Sequence, residues 1–270
     1  FPDRFFNLGI TEQDVVSTAA GLSTQGYVAF ATSFAVFLTN RAYDMIRLDV
    51  CYNNTNVKVV CSHGGVTVGE DGASAQCLED FAIMRVLPNM KVICPCDYLE
   101  AKKATRAIVK EYGPFYMRTS RAPIPVITKE EDPFVIGRAN ILRKGKDATI
   151  IACGVMVAEA LSAADLLKKE GLEIRVINMH TIKPIDAQVI IDAAKETGAI
   201  VSAEEHQMNG GLGSAVAEVL SQHRPCPLEI IGVKDSFGES GTPAQLMAHF
   251  NLKDVHIVQA VKKAIGRKYV

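Results

Sequence analysis

Apolar positions along the chain recur in two rhythms, and the two alternate from end to end. The runs "YVAFAT" (27–32), "VKVVCS" (57–62), "KVICPC" (91–96) and "FYMRTS" (115–120) have the length and β-branched character of buried strands. Between them, residues 35–50 carry a helical stripe through Leu38, Ala42, Met45 and Ile46, and 78–87 and 97–112 are helical in pattern too. Ahead of the first strand, Thr11 and Asp14 form a T-x-x-D capping box. The apolar and small residues Val15, Val16, Ala19, Ala20 and Leu22 follow it, so a buried helix is expected there. A second series comprises "ATIIACG" (148–154), "EIRVINM" (173–179), "AIVSAEEH" (199–206) and "LEIIGV" (228–233), with helical patterns between and a last one near 255–265. Strands that alternate with helices predict parallel sheets joined by crossover helices. The stretch "RAPIPVITKEEDPF" (121–134), with three prolines and a charge cluster, reads as a joint. The expected architecture is therefore α/β in two domains, each a mostly parallel sheet flanked by helices. They span 1–122 and 136–270, with 123–135 as linker.

Bulk properties narrow the function classes. A chain of 270 residues can bury a substantial core in each of two domains. A net charge of -1 gives no electrostatic reason to expect nucleic acid or a membrane surface as partner. No apolar run reaches the length of a bilayer span, and no signal peptide opens the sequence. The seven cysteines include a C-P-C at Cys94 and Cys96 but neither a zinc ligand set nor a redox C-x-x-C. Reduced, mostly buried thiols and a cytoplasmic location are expected.

Four segments are candidates for chemistry. Glu12 falls in the first turn of an otherwise apolar helix; the ordinary reason for an acid there is the helix macrodipole. In "CSHGGVTVGEDGASAQCLED" (61–80) a strand delivers His63 into a glycine-rich loop that ends with Glu70 and Asp71. Ligands in open α/β sheets bind beyond the carboxyl ends of strands, and long ordered loops tend to be functional. A solvated surface loop is the competing account. In "ATSFAVFLTNRAYDMIR" (31–47), Phe34 and Phe37 offer flat apolar faces, suited to a ring or to core packing, with Arg41 one turn on. In "MRTSRAP", Arg118 and Arg121 end a strand where guanidinium groups could hold a phosphate. By contrast, "EEHQMNGGLGSAVAEVL" (204–220) lacks both the G-x-G-x-x-G spacing and a Walker lysine, and reads as a tight strand-to-helix turn.

Taken in order, "GITEQ", "SFAVF", "SHGGVTVGEDGAS", "RTSR" and "EEHQMNGGLGSAVAEVL" resemble the C-terminal portion of transketolase, its pyrimidine-binding domain followed by its C-terminal domain. The likeness covers essentially the whole chain and is greatest to the separately encoded C-terminal subunit of split transketolases. It implies thiamine diphosphate as cofactor, with Mg²⁺, and transfer of a two-carbon ketol unit between ketose and aldose phosphates, as in the pentose phosphate pathway. It implies that Glu12 hydrogen-bonds N1′ of the cofactor's pyrimidine and activates it by sharing a proton. Phe34 and Phe37 would pack on that ring. His63 and Arg121 would hold the sugar phosphate, Asp71 would read a hydroxyl of the ketose donor, and Arg41 would add a phosphate contact. The C-terminal domain would support the dimer.

The resemblance has gaps. Where the family often shows His or Gln after "GEDGAS", this chain has Ala75, with Gln76 next, so either a polar helper is missing or Gln76 reaches in. A strand–helix–strand unit of roughly 40 residues would be expected upstream, because parallel strands need a crossover. The diphosphate-binding signature, GDG followed by NN, is missing: "GEDG" is a different motif, and Asn53-Asn54 precede it. An N-terminal subunit bearing GDG…NN is therefore the expected partner and the main holder of diphosphate and Mg²⁺. Two copies of each chain are the expected assembly. Three other readings compete: the beta subunit of a 2-oxo-acid dehydrogenase decarboxylase component, part of a 1-deoxyxylulose-5-phosphate synthase, and a non-catalytic transketolase-like scaffold.

Overall fold

Strands buried on both faces need helices on both sides, and the apolar runs fold that way. The computed structural model describes residues 1–269. Its first half contains α1 (Glu12–Thr24), β1 (Ala29–Phe34), a short α2 (Tyr43–Met45), β2 (Val57–Ser62), α3 (Asp80–Arg85), β3 (Lys91–Ile93), α4 (Tyr98–Lys110) and β4 (Phe115–Arg118). The second half runs β5 (Asn140–Arg143), β6 (Ala148–Ala152), α5 (Met156–Lys169), β7 (Ile174–Asn178), β8 (Thr181–Lys183), α6 (Ala187–Thr197) and β9 (Ile200–Gln207). It closes with α7 (Leu212–His223), β10 (Leu228–Val233), α8 (Pro243–His249) and α9 (Asp254–Gly266). Two five-stranded sheets result, ordered β1-β2-β4-β3-β8 and β10-β9-β6-β7-β5. Each is parallel except at one edge, where β8 runs antiparallel to β3 and β5 antiparallel to β7.

The antiparallel edge strands, β5 and β8, and α8 are the elements that the hydrophobic pattern leaves out. β5 and β8 span four and three residues, too short to show a period. β8 lies in the second half of the chain yet completes the first sheet, so the halves share backbone hydrogen bonds as well as a joint. The proline-rich joint is itself anchored: the Asp97 carboxylate accepts hydrogen bonds from Ile127 N (2.7 Å) and from Thr128 Oγ1 (2.9 Å). All seven cysteines are free, and six of them are buried.

Two local expectations are corrected. Thr11 is the N-cap of α1, but its side chain makes no capping bond; the hydroxyl donates backwards to Leu8 O at 2.7 Å, so no T-x-x-D box forms. Residues 35–50 form a broken helix rather than one α-helix. Wide π turns at Phe37–Arg41 and Ile46–Tyr52 flank α2. The reason lies in the stripe. Leu38, Ala42, Ile46 and Val50, all fully buried, recur every four residues. An α-helix would carry that repeat about 40° further round at each step. Wider turns keep the four residues on one face.

Candidate active site

Glu12 is drawn inward by the periodicity of its own helix. The buried face of α1 runs through Glu12, Val16, Ala19, Ala20 and Ser23, the i, i+4, i+7, i+8, i+11 stripe of a helix pressed on a core. The carboxylate is thus among the most enclosed on the first half of the chain, with 6% of the residue exposed. Oε2 lies 3.5 Å from Arg41 Nη1, and Oε1 accepts no hydrogen bond among the described residues.

A continuous run of contacts leads away from that carboxylate. The Arg41 guanidinium stands 4.7 Å from the centre of the Phe37 ring, a cation–π distance. The π turn that carries both residues brings Arg41 back over Phe37. Phe37 is parallel to Phe34, with 5.6 Å between centroids and 11° between planes. Phe34 ends β1, and its partner in register is Ser62, the last residue of β2. His63 follows with a left-handed backbone (φ 62), which swings its ring parallel to Phe34 at 3.5 Å. The Ser62 hydroxyl pairs with His63 Nδ1 at 2.7 Å.

Asp71 and Arg121 are near enough to His63 for their charges to act on it. Burial lowers the His63 pKa, Arg121 pushes in the same direction, and Asp71 pulls against both. His63 is therefore a neutral ring at pH 7, able to donate from one nitrogen and accept at the other. Arg121 donates to Val68 O at 2.7 Å and lies 3.4 Å from Glu70, while about two-fifths of its side chain stays exposed. Asp71 is exposed at the end of the same loop. Seven of the residues singled out from the sequence thus fall along one run: an aromatic floor of Phe37 and Phe34 with Arg41 over one ring and His63 on the other, a buried carboxylate beside Arg41, and Arg121 and Asp71 acting on His63.

Three readings of the neighbouring residues change. Arg118 is unavailable to a phosphate. It is buried, donating from Nη1 to Asp80 Oδ1 (3.0 Å) and from Nη2 to Glu205 O (2.6 Å), and Tyr116 OH closes on Asp80 Oδ2 at 2.6 Å. Gln76 does not reach the aromatic floor. Its Nε2 donates to Glu239 O at 2.8 Å and to Gly69 O at 3.2 Å, which ties the glycine-rich loop to the second half. The paired glycines 64 and 65 have neighbours within the chain rather than an open face: a Cβ on Gly64 would fall 2.1 Å from Arg118 Nε, and one on Gly65 2.1 Å from the Glu205 carboxyl carbon. The strand-to-helix turn at 204–213 also has an internal explanation. Leu212 N and Gly213 N donate to the Glu204 carboxylate at 2.7 and 2.8 Å, so a side chain already fills the anion position at the start of α7.

A flat aromatic stack with an unpaired oxygen of a buried carboxylate at its edge suits a planar heterocycle with an apolar face and a polar rim. The residues present fit the pyrimidine part of thiamine diphosphate. Among the described residues, no group of three or more His, Cys, Asp or Glu side chains is placed to hold a metal ion. No helix among them is long and apolar enough to cross a membrane.

Residues 1–126 match the family model of the transketolase pyrimidine-binding domain, and 137–257 match that of the transketolase C-terminal domain. A protein of Methanocaldococcus jannaschii described as a transketolase C-terminal section is 44% identical over 99% of this chain and 85% of its own length. The chain belongs to the transketolase family. A 6-deoxy-6-sulfo-D-fructose transketolase subunit from a Clostridium species is 41% identical, over 99% of this chain and 83% of that protein. Among solved structures, a split-gene transketolase captured as an inactive beta4 tetramer superposes with a TM-score of 0.94 at 46% identity, covering 99% of this chain and 86% of that one. The two mostly parallel sheets flanked by helices are the folds of the transketolase pyrimidine-binding and C-terminal domains.

Proposed function

We propose that this chain is the C-terminal subunit of a thiamine-diphosphate-dependent transketolase that moves a two-carbon ketol unit between ketose and aldose phosphates. It would work in the cytoplasm with an N-terminal subunit bearing the GDG…NN signature, two copies of each chain forming the enzyme. That partner would hold most of the diphosphate and Mg²⁺. Residues 1–122 would form the pyrimidine-binding domain, 123–135 the linker and 136–270 the C-terminal domain. The observation that carries the proposal is the unbroken contact path Glu12–Arg41–Phe37–Phe34–His63, with Asp71 and Arg121 at its far end.

Each residue has a physical task in this reading. Bound thiamine diphosphate supplies the carbon nucleophile that cleaves and re-forms the carbon–carbon bond. Glu12, shielded from water, offers Oε1 to a ring nitrogen and holds or shares a proton there. Phe34 and Phe37 set the plane of the ring. Neutral His63 and the Asp71 carboxyl present hydrogen-bonding groups to the hydroxyls of a sugar. Arg121 offers a charge-assisted contact to the terminal anion. A sulfonate and a phosphate are alike to a guanidinium, so a relative that acts on a sulfo-sugar is compatible with the same position.

Donor trials with the partner present test the proposal. Xylulose 5-phosphate should be turned over and pyruvate should not; the reverse would point to a 2-oxo-acid dehydrogenase component. Arg121→Ala should lower kcat/KM for a phosphorylated ketose by roughly 10- to 100-fold, the worth of one hydrogen bond to a charged group. A short unphosphorylated ketol should be affected far less. Equal losses for both donors would mean that Arg121 serves only to brace Val68.

A further inference from the structure

The loop that carries His63 and Asp71 rests on the second half of the chain, where the sequence offers no chemistry. Glu205, on β9, lies directly beneath it with only 4% of the residue exposed. Its Oε1 accepts the backbone N–H of Thr67, which stands midway between His63 and Asp71. Its carboxylate also occupies the space where a side chain on Gly65 would project, and Gly65 has the left-handed backbone (φ 85) that glycine tolerates. Uncharged contacts complete the support: Gln76 Nε2 with Glu239 O, Ser240 against Gly72, and Pro243 packed 3.3 Å from the position of a Cβ on Gly69.

We infer that Glu205 is a positioning residue: through the Thr67 N–H its carboxylate fixes the backbone of residues 64–70, so that His63 and Asp71 face one ketose donor together. The second domain thereby takes part in donor binding without touching the donor. Burial pushes the Glu205 carboxyl up to about 7, while Arg118 and the Thr67 N–H pull against the rise. In this buried setting the carboxylate has two partners, the Arg118 guanidinium 3.6 Å from Oε2 and the loop N–H at Oε1. Arg118 has partners besides this carboxylate: it holds Asp80 Oδ1 at 3.0 Å and the backbone carbonyl of residue 205 at 2.6 Å, contacts that do not use the Glu205 side chain. The identity of the ligand rests on the transketolase reading; the contact with the loop does not.

Two conservative variants separate loop-holding from a merely electrostatic role. Glu205→Gln keeps an oxygen acceptor at the same reach and loses the charge, whereas Glu205→Asp keeps the charge and is one methylene too short for Thr67. With Glu205→Ala as reference, hydrogen exchange would be followed across residues 63–72 of the full chain, using 57–62 and 200–203 as internal controls. Donor KM and kcat would be measured in the complex with the partner. Ala and Asp should each speed exchange in the loop and raise donor KM by about tenfold, the scale of one lost hydrogen bond. kcat should stay within about twofold, as for an effect on binding alone. Gln should restore both readings. Rescue by Asp instead of Gln, unaltered loop exchange in Ala, or a loosened loop with unchanged KM would each overturn the inference. If Ala fails to fold, the Gln–Asp pair decides. A wild-type complex that transfers no ketol unit would refute the functional proposal, and the exchange comparison would then decide alone whether Glu205 holds the loop.

Discussion

Glu12→Gln lowers ketol transfer by about 10²- to 10⁴-fold and leaves the fold intact: this is the expected result with the largest effect. The amide matches the carboxylate in size, and the one contact it disturbs is a 3.5 Å approach to a half-exposed Arg41, worth little to stability. The buried face of α1, from Val16 to Ser23, is untouched. What disappears is the ability to hold or share a proton at the edge of the aromatic floor. Positioned proton transfer contributes about 10²- to 10⁴-fold, and turnover should fall by that range. The measurement is kcat with partner present and thiamine diphosphate saturating, alongside thermal unfolding of the variant. Activity near wild type would remove Glu12 from the mechanism; activity lost together with the fold would show a structural role.

Asp80→Ala should destabilise the chain more than any change at the exposed end of the site. Asp80 is fully buried and accepts from both Arg118 (3.0 Å) and Tyr116 (2.6 Å). Removing it strands a buried guanidinium whose nearest remaining carboxylate, Glu205 Oε2, is 3.6 Å away. Breaking a buried pair by deleting one partner costs about 3–5 kcal/mol, a fall in Tm on the order of 10 °C for a chain of this size. Added salt should change the loss little, since buried charges are poorly screened. Urea unfolding of wild type and variant at low and high salt checks both points. A loss under about 1 kcal/mol, the range of exposed pairs, would mean that water or Glu205 takes over the role of Asp80.

What the sequence discloses follows from how local each feature is. Strands such as 57–62 and 148–152 are legible because most of their residues are buried on both faces, which makes a mostly apolar run broken only by Lys58, Ser62 and Thr149. Phe34 and His63 are legible because each stands at a strand end, and parallel pairing of β1 with β2 then makes them neighbours. Arg118 and Arg121 look alike in "MRTSR", yet one is buried and the other open. The difference is set by Asp80 and Glu205, which lie 38 and 87 residues from Arg118 in sequence. The same holds for "AEEH", where nothing local sets either acid apart. In the fold, Glu204 caps α7 and Glu205 braces the loop of the other half. β8 escapes notice because three residues have no period, and only the free edge of β3 gives them a partner.

The central claim is that this chain supplies half of a ketol-transferring site and needs a partner for the other half. It is tested most directly by titrating a purified chain bearing the GDG…NN signature into this one, with thiamine diphosphate, Mg²⁺ and xylulose 5-phosphate in excess, and following ketol transfer to an aldose phosphate. The account predicts no turnover from this chain alone and activity that rises with partner and saturates at one partner per chain. Full activity from this chain alone, shown by mass spectrometry to be free of partner, would contradict it.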